Sequence, residues 1–459
     1  MKNKSGIEKS ALIAVTLSSF LTPFAVSSVN VALPTIGREF AMDAISLNWV
    51  ATAYLLTSAI FLVPIGRLAD IKGRKKLFIL GTFIFTITSF FLAISNSGAM
   101  VILLRAIQGM GGAMIFGTGV AILTSIFPVG ERGKMLGINV AAVYIGLSTG
   151  PFIGGFFTQQ LGWRSIFYLN IPLGFLIIAF SALRLKGEWA EAKGEEFDLA
   201  GSMIYCFMLL SIMYGFSLLP AISGAWLILM GALGMLFFIL WEMRVKNPVL
   251  NLNLFRDNTV FAFSNLAALI NYSATFAVSF LLSLYLQYIK GLNPQDAGVI
   301  LVSQPAVQAI FSPLAGRLSD KIEPRIVASS GMALTAIGLF LFTFLSKETA
   351  LEYIIASLIL LGFGFALFSS PNTNAVMSSV DKRFYGIASA TLGTMRLTGQ
   401  MLSMGIAMLI FAIYIGKVEI NPAIYPNLMR STQVAFGIFS ALCFAGIFAS
   451  LARGKLREK

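Results

Sequence analysis

The chain contains no histidine, and only two cysteines among 459 residues. Without histidine it lacks the commonest metal ligand and the usual proton shuttle near neutral pH. Cys206 and Cys443 lie in separate apolar runs and support neither a disulfide framework nor a thiolate metal site. No G-x-x-x-x-G-K-[ST] string occurs, so the chain has no Walker-A loop for ATP, and uphill work must draw on an ion gradient unless a partner supplies the ATP. Charge is scarce as well. Charged residues make up 12% and hydrophobic residues 57%, whereas soluble domains carry about 25% charged residues. A soluble fold of this length needs far more polar surface to cover its core, which excludes a soluble enzyme, a disordered chain and a fibre. A bilayer-spanning helix with its connection takes roughly 30–35 residues. The chain therefore has room for about 12 to 14 spans and no sizeable extramembrane domain. It reads as an all-α polytopic membrane protein.

Fourteen apolar runs stand between breaks that carry charge, glycine or proline: 11–34, 46–66, 76–95, 98–126, 134–159, 164–184, 199–219, 225–243, 259–285, 296–315, 326–346, 351–378, 386–415 and 432–452. The first lacks an A-x-A cleavage site and reads as a retained helix rather than a signal peptide. The net charge is +13. In a soluble protein that would suggest nucleic acid, but here it sorts by side. With alternating spans and a cytoplasmic N-terminus, the outer segments hold only Arg38, Arg164, Lys290, Lys347, Lys417 and Arg430. The remaining basic residues fall inside, roughly four to one, except for two that lie within spans. Both termini are expected in the cytoplasm of a cell-membrane protein, with no nucleic-acid partner. The two embedded cations are Arg105 and Arg396. Each costs at least ~2.5–3.5 kcal/mol if unpaired in lipid, so both should face the protein interior or a watery cavity.

A short string repeats. Gly66-Arg67-Leu68-Ala69-Asp70 recurs as Gly316-Arg317-Leu318-Ser319-Asp320, each time after an apolar run. Such duplication marks a transporter built from two related bundles with its site between them. It divides the chain into a six-helix bundle at 1–184, a linker with two inserted spans at 185–258 and a second six-helix bundle at 259–459. The stretch 186–198 is the most acidic, with Glu188, Glu191, Glu195, Glu196 and Asp198, and reads as a solvated linker.

The motifs are specific. Gly66 to Lys76 joins a glycine-rich basic turn to an acid, Asp70, followed by Gly73 and Arg74. Arg105-Ala106-Ile107-Gln108-Gly109 opens the fourth span. Gly137, Gly146, Gly150-Pro151 and Gly154-Gly155 give G-x8-G-x3-G-P-x-x-G-G in the fifth. Asn30-Val31-Ala32-Leu33-Pro34 ends the first span, and Gly162-Trp163-Arg164 precedes the sixth. At these residues essentially the whole chain resembles the major facilitator superfamily, specifically its fourteen-helix drug:proton antiporter branch. The resemblance implies two six-helix bundles plus two inserted helices, fourteen transmembrane helices in all, and export by proton antiport with Arg105 and Arg396 in coupling. It also implies a conformational latch of Gly66, Asp70, Gly73, Arg74 and Asp320. Arg74 can pair with Asp70 along the turn. Asp70 is expected to meet the start of the thirteenth helix near Tyr385 to Ser389, and Asp320 the start of the fifth near Arg132 to Leu136.

One departure stands out. Where many members of that branch carry an aspartate in the first helix, this chain has Ala25. No acid lies near the middle of any span, so the usual proton carrier and the usual partner for a cationic drug are missing. The polar residues left to line a cavity are neutral: Asn30, Gln108, Asn139, Tyr144, Asn170, Asn265, Asn271, Tyr272, Gln304, Gln308, Asn372, Asn374 and Gln400. Together with methionines and aromatics they point to a lipophilic or amphiphilic small molecule. The expected protein is a monomeric secondary transporter with no cofactor, its partners being substrate, protons and membrane lipids. A lipid or glycolipid flippase, or an exporter of one endogenous metabolite, is the competing reading. The lack of histidine and of paired carboxylates in the membrane argues against an enzyme, and the lack of a filter-like loop against a channel.

Overall fold

The computed structural model describes residues 2–127, 129–245, 248–249, 253–380 and 385–454. Among them, fourteen helices are long and apolar enough to cross a membrane. These are α1 (Ile7–Glu39), α2 (Ala44–Lys72), α3 (Arg74–Ala93), α4 (Gly98–Ile126), α5 (Ile138–Leu161), α6 (Arg164–Arg184), α7 (Leu199–Leu218), α8 (Ile222–Glu242), α9 (Thr259–Ile289), α10 (Pro294–Ser319), α11 (Pro324–Phe344), α12 (Leu351–Ser378), α13 (Ile387–Tyr414) and α14 (Pro422–Ala452). About 20 apolar residues cross the hydrocarbon, and a helix is the open-ended element that satisfies its own backbone there. Short polar residues start several of them. Asp43 Oδ1 accepts from the Ile45 and Ser46 amides at 2.9 Å, and Asn293 Oδ1 from the Asp296 amide at 2.8 Å.

Three ends differ from the expectation. The second span does not stop at Gly66 but runs to Lys72, which carries the Gly66 to Asp70 string inside α2. The first span does not stop at Pro34 but runs to Glu39. Its last turn is held from outside, because Glu39 accepts from Trp163 Nε1 at 2.6 Å and pairs with Arg164 at 2.7 Å. The last helix starts at Pro422, not 432. Asn421 Oδ1 accepts from the Ala423 amide at 3.0 Å, and the polar first turns lower the hydropathy without preventing helix.

The same helix pairings occur twice. In the first half α1 packs on α4, α5 and α6, α4 on α2 and α3, and α3 on α6. In the second half α9 packs on α12, α13 and α14, α12 on α10 and α11, and α11 on α14. Two six-helix bundles with one internal plan follow directly. They meet along α2 with α13, α5 with α10, and α1 with α9. The α7–α8 hairpin lies outside this pair, against α2 and α13. There the Tyr205 hydroxyl donates to the Ala59 carbonyl at 3.3 Å and the Tyr205 and Phe238 rings sit 5.3 Å apart. Fourteen crossings leave both ends of the chain on one face of the membrane, here termed the terminal face; the other is the distal face.

Between described residues, the hydrogen bonds from one half to the other lie near the distal face and at mid-depth. Gln287 Nε2 donates to the Val31 carbonyl at 2.8 Å and the Tyr288 hydroxyl to the Pro34 carbonyl at 3.2 Å. The Ala44 amide donates to the Val418 carbonyl at 3.2 Å, and Gln160 Nε2 to Gln295 Oε1 at 3.3 Å. Halfway through, the Tyr144 and Ser369 hydroxyls are 2.6 Å apart.

Candidate functional site

Behind this distal closure the interface opens into a cavity of about 160 Å³. One water needs only ~10–15 Å³, so the space exceeds a packing flaw. It lies between the halves and draws on α1, α2, α4 and α5 from one, α9, α10, α12 and α13 from the other. Aromatic walls come from Phe116, Phe276 and Phe365. Toward the terminal face Phe116 lies against Gly393 of α13, with 3.0 Å between the ring and the place a side chain would begin. Among the described residues, the cavity's polar groups are hydroxyls, amides and one guanidinium, that of Arg396, and no carboxylate lines it.

Of the residues expected to line a cavity, Asn30, Tyr144, Tyr272, Gln304, Gln308 and Gln400 do so. The others lie elsewhere. Gln108 is enclosed in the first bundle, where it joins Arg105 and Ser89. Asn271 Nδ2 points at Cys443 Sγ, 3.9 Å away. Asn372 bridges the Ser264 carbonyl and Arg453. Asn374 donates to Ser319 Oγ at 2.9 Å, and Asn265 to the Phe261 carbonyl at 2.9 Å. Asn139 and Asn170 are buried and not part of the lining. A neutral amide in an apolar helix needs a partner whether a neighbour or a cavity provides it, so residue type alone does not separate the two groups. Tyr54, Ser27 and Ser58, which also line the cavity, escaped the reading of composition. Register carries their signal: Tyr54 and Ser58 stand as far before Gly66 as Gln304 and Gln308 stand before Gly316.

Arg396 and Arg105 both point into protein, in different settings. Arg396 Cζ lies 5.1 Å from the centre of the Tyr272 ring, and its Nε is buried with no hydrogen-bond partner among the described residues. Arg105 is only 1% exposed. Its Nε donates to the Val50 carbonyl at 3.1 Å, Nη1 donates to Gln108 Oε1 at 2.6 Å, and Cζ lies 4.5 Å from the centre of the Tyr54 ring. Gln108 Nε2 passes the chain on to Ser89 at 2.8 Å. One side of Tyr54 thus covers Arg105 and another faces the cavity. A third buried cation was missed. By loop charge Arg453 counts only among the basic residues on the inner side, yet it is 1% exposed, donating to Asn372 Oδ1 at 2.9 Å, to Ser264 Oγ at 3.3 Å and to Ser450.

At the terminal-face end of α2, Asp70 pairs with Arg74 at 2.7 Å, as the spacing suggested. The acidic stretch after α6 keeps its glutamates exposed to solvent and is at the same time folded onto this turn. Glu191 pairs with Arg74 at 2.7 Å and Glu195 with Arg67 at 2.5 Å. The Ala192 amide donates to the Asp70 carbonyl at 3.0 Å, and the Arg74 amide to the Trp189 carbonyl at 2.9 Å. Basic residues crowded into one turn repel unless countered, and the nearest acids in the chain supply the counter-charge. Gly73 has φ +119°, and the Glu188 carboxyl group occupies the space where a side chain would start. Both facts require glycine there. Gly66 has open space beside it. The side chains of Asp320, of Arg132 and of Tyr385 lie outside the described residues, and so does the meeting of Asp320 with the start of α5. Between Asp70 and Ile387 to Ser389, no hydrogen bond is seen among the described residues.

The α5 glycines divide by what they face. Gly146, Gly150 and Gly154 lie one turn apart and press against Phe20, Ser27 and Ser28 of α1. They form a small-residue seam within the first bundle. Gly155 instead meets the Pro294 carbonyl of the other half, and Gly298 of α10 meets the carbonyl of Pro151. The surroundings of Gly137 lie outside the described residues.

The family model described as Major Facilitator Superfamily matches residues 15–268 and again 264–458. The chain is 30% identical over 446 residues to the riboflavin transporter RibZ of Clostridioides difficile, covering 96% of each chain. It is 31% identical over 429 residues to the multidrug resistance protein Stp of Mycobacterium tuberculosis, covering 92% of this chain and 78% of Stp. Among solved structures, the nucleoside transporter NupG superposes with a TM-score of 0.64 at 14% identity, over 97% of this chain and 99% of NupG, a likeness of fold. The repeated six-helix plan, the cavity between the halves and the two successive matches agree: the chain belongs to the major facilitator superfamily of membrane transporters.

Proposed function

We propose that the protein exports lipophilic or amphiphilic small molecules across the cell membrane by alternating access, as a monomer with both termini in the cytoplasm. One observation carries the reading: a cavity at the interface of two six-helix bundles, walled by aromatics and neutral polar groups. Flat aromatic surfaces with scattered hydroxyls and amides hold many shapes loosely, which suits varied cargo. The similarity to Stp, named a multidrug resistance protein, points the same way. In this reading the Asp70–Arg74 turn and its acidic cover act as part of the latch on the cytoplasmic side, and the glycine seam of α5 moves with α1 as one piece.

Proton antiport is the drive implied by the resemblance, with Arg105 and Arg396 taking part. The test is transport in vesicles reconstituted with the purified protein, using a panel of dyes, lipids and flavins, with and without an imposed pH gradient. Dye export that follows the gradient supports the whole reading. Movement of lipids alone would replace it with a flippase. The second reading, export of one metabolite, draws on the likeness to RibZ, named a riboflavin transporter, and on Ala25, fully buried where a cation-binding acid would stand. A panel in which a single compound is carried would establish that reading instead.

A further inference from the structure

Three arginines lie deep in the protein, and two are fully engaged. Arg105 and Arg453 donate to carbonyls, amides and hydroxyls of their own bundles. Arg396 is the exception. It lines the cavity between the bundles, and its Nε is buried without a hydrogen-bond partner among the described residues. Gln308 lines the same cavity, and its Nε2 is a second buried donor without such a partner. Both are donors, and one carries a full positive charge. Among the described residues, no carboxylate lines the cavity to neutralise it.

The internal repeat shows that the cation and most of the amide donors gather on one side, while the first half lines the cavity with the hydroxyls of Thr22, Ser27, Tyr54, Ser58 and Tyr144 and the amide of Asn30. The α2 positions that correspond to Gln304 and Gln308 hold Tyr54 and Ser58. Gln400 lies one helical turn beyond Arg396 on α13, so the three glutamines and the arginine all come from α10 and α13. Across the cavity, Val26, Phe116 and Leu147 of the first half present apolar surface. A ligand matched to this space has an acceptor-rich, negatively charged end and an apolar body. A guanidinium forks onto carboxylate, sulfonate or phosphate oxygens, and a partly dry site strengthens that pairing.

We infer that the cavity selects amphiphiles that carry a negative charge, with the anion held at Arg396 between α10 and α13 and the apolar body against Phe116 and Leu147. This rests on the export reading above and names its substrate class. Cationic amphiphiles are disfavoured, because they would share the cavity with Arg396 and find no acid. An anion leaving a cell that is negative inside also moves down the membrane potential, so its export is aided without any proton-carrying side chain.

The experiment uses vesicles of the full-length protein and three naphthalene dyes of one ring size, carrying a sulfonate, a neutral amide or a trimethylammonium group. The wild-type protein should move the sulfonate at least about tenfold faster than the ammonium dye, a ratio within reach of one charge-assisted pair. In Arg396→Gln the ratio of sulfonate to neutral-dye export should fall about tenfold, whatever loss common to all three dyes its coupling role brings; Arg396→Lys should keep part of the preference. Gln308→Glu, which adds a competing anion to the cavity, should lower sulfonate export as well. A valinomycin-set potassium potential should speed the sulfonate and leave the neutral dye unchanged. Equal export of all three dyes, a preference for the ammonium dye, or an Arg396→Gln variant that slows all three alike would overturn the inference and leave the export reading standing. If wild-type protein moves no dye, the export reading falls and this one with it. Thermal unfolding of each purified variant in detergent reports that the protein still folds.

Discussion

Arg105 holds a positive charge inside an apolar bundle without an acid, by spreading it over the Val50 carbonyl, Gln108 Oε1 and the face of Tyr54. Each contact is individually modest, yet leaving a buried acceptor unpaired costs roughly 1–3 kcal/mol. Arg105→Ala should therefore lower the stability of the purified protein by that order and free the Tyr54 ring on the cavity side. Export should fall with it. Arg105→Lys keeps the charge but not the fork and should land between alanine and wild type. Thermal unfolding in detergent and initial export rates check this; an alanine variant matching wild type in both would show that the chain from Val50 to Ser89 contributes nothing. The same residues show how far sequence reaches at this scale. That Arg105 and Arg396 point inward follows from the cost of a charge in lipid. That Gln108 serves Arg105 while Gln304 and Gln308 face a cavity depends on which way each helix is turned, and polarity alone is silent on rotation. Comparing positions across the repeat recovers part of it.

Elements were more legible than residues. Hydropathy and loop charge placed all fourteen spans, because a bilayer leaves few alternatives for an apolar run of 20 residues. The ends were less legible, since contacts far away in sequence decide them: Glu39 with Trp163 and Arg164 extends α1 past a proline that composition read as a stop. The stretch 186–198 was only partly legible for a related reason. Five acids in thirteen residues suggest solvation, and the glutamates are exposed, but the basic turn after α2 lies within reach and also engages Glu188, Glu191 and Glu195. The two ion pairs differ in burial. Arg74's side chain is 8% exposed though its partner Glu191 is 65% exposed, whereas Arg67 and Glu195 are 19% and 43% exposed. Exposed pairs contribute little, about 0–1 kcal/mol. Glu191→Gln should therefore loosen the linker more than Glu195→Gln, and Asp70, still paired with Arg74, should keep either loss near ~1 kcal/mol. Limited proteolysis of the 186–198 segment reads this out directly. Faster cutting in Glu195→Gln than in Glu191→Gln would mean that burial of Arg74 does not govern the contact.

For the molecule as a whole, the hydrogen bonds that join the two halves among the described residues lie near the distal face and at mid-depth. Closure there relies on backbone meeting backbone: Gly155 lies against the Pro294 carbonyl and Gly298 against the carbonyl of Pro151. No side chain fits between them. The seam of Gly146, Gly150 and Gly154 serves a different end, holding α5 to α1 inside one half. Substitutions on α5 should accordingly separate into two kinds. Gly150→Val pushes α1 away from α5 and should destabilise the first bundle, by about 1–3 kcal/mol for an overpacked site. Gly155→Val leaves that bundle intact and obstructs only the closing of the distal face, shifting the balance between the two alternating states several-fold. A pair of cysteines makes the closed arrangement measurable. Gln160 and Gln295 touch side chain to side chain at 3.3 Å across the two halves. In a Gln160→Cys, Gln295→Cys double variant lacking Cys206, a short bifunctional thiol reagent should join the halves and stop transport, and a cleavable version should restore it on reduction. Adding Gly155→Val to this double variant should slow the crosslinking, whereas Gly150→Val should lower the yield of folded protein and leave the crosslinking rate of what remains unchanged. If Gly155→Val crosslinks as fast as its parent, the contact between Gly155 and Pro294 does not limit closure, and the distal gate must be sought elsewhere along α1 and α9.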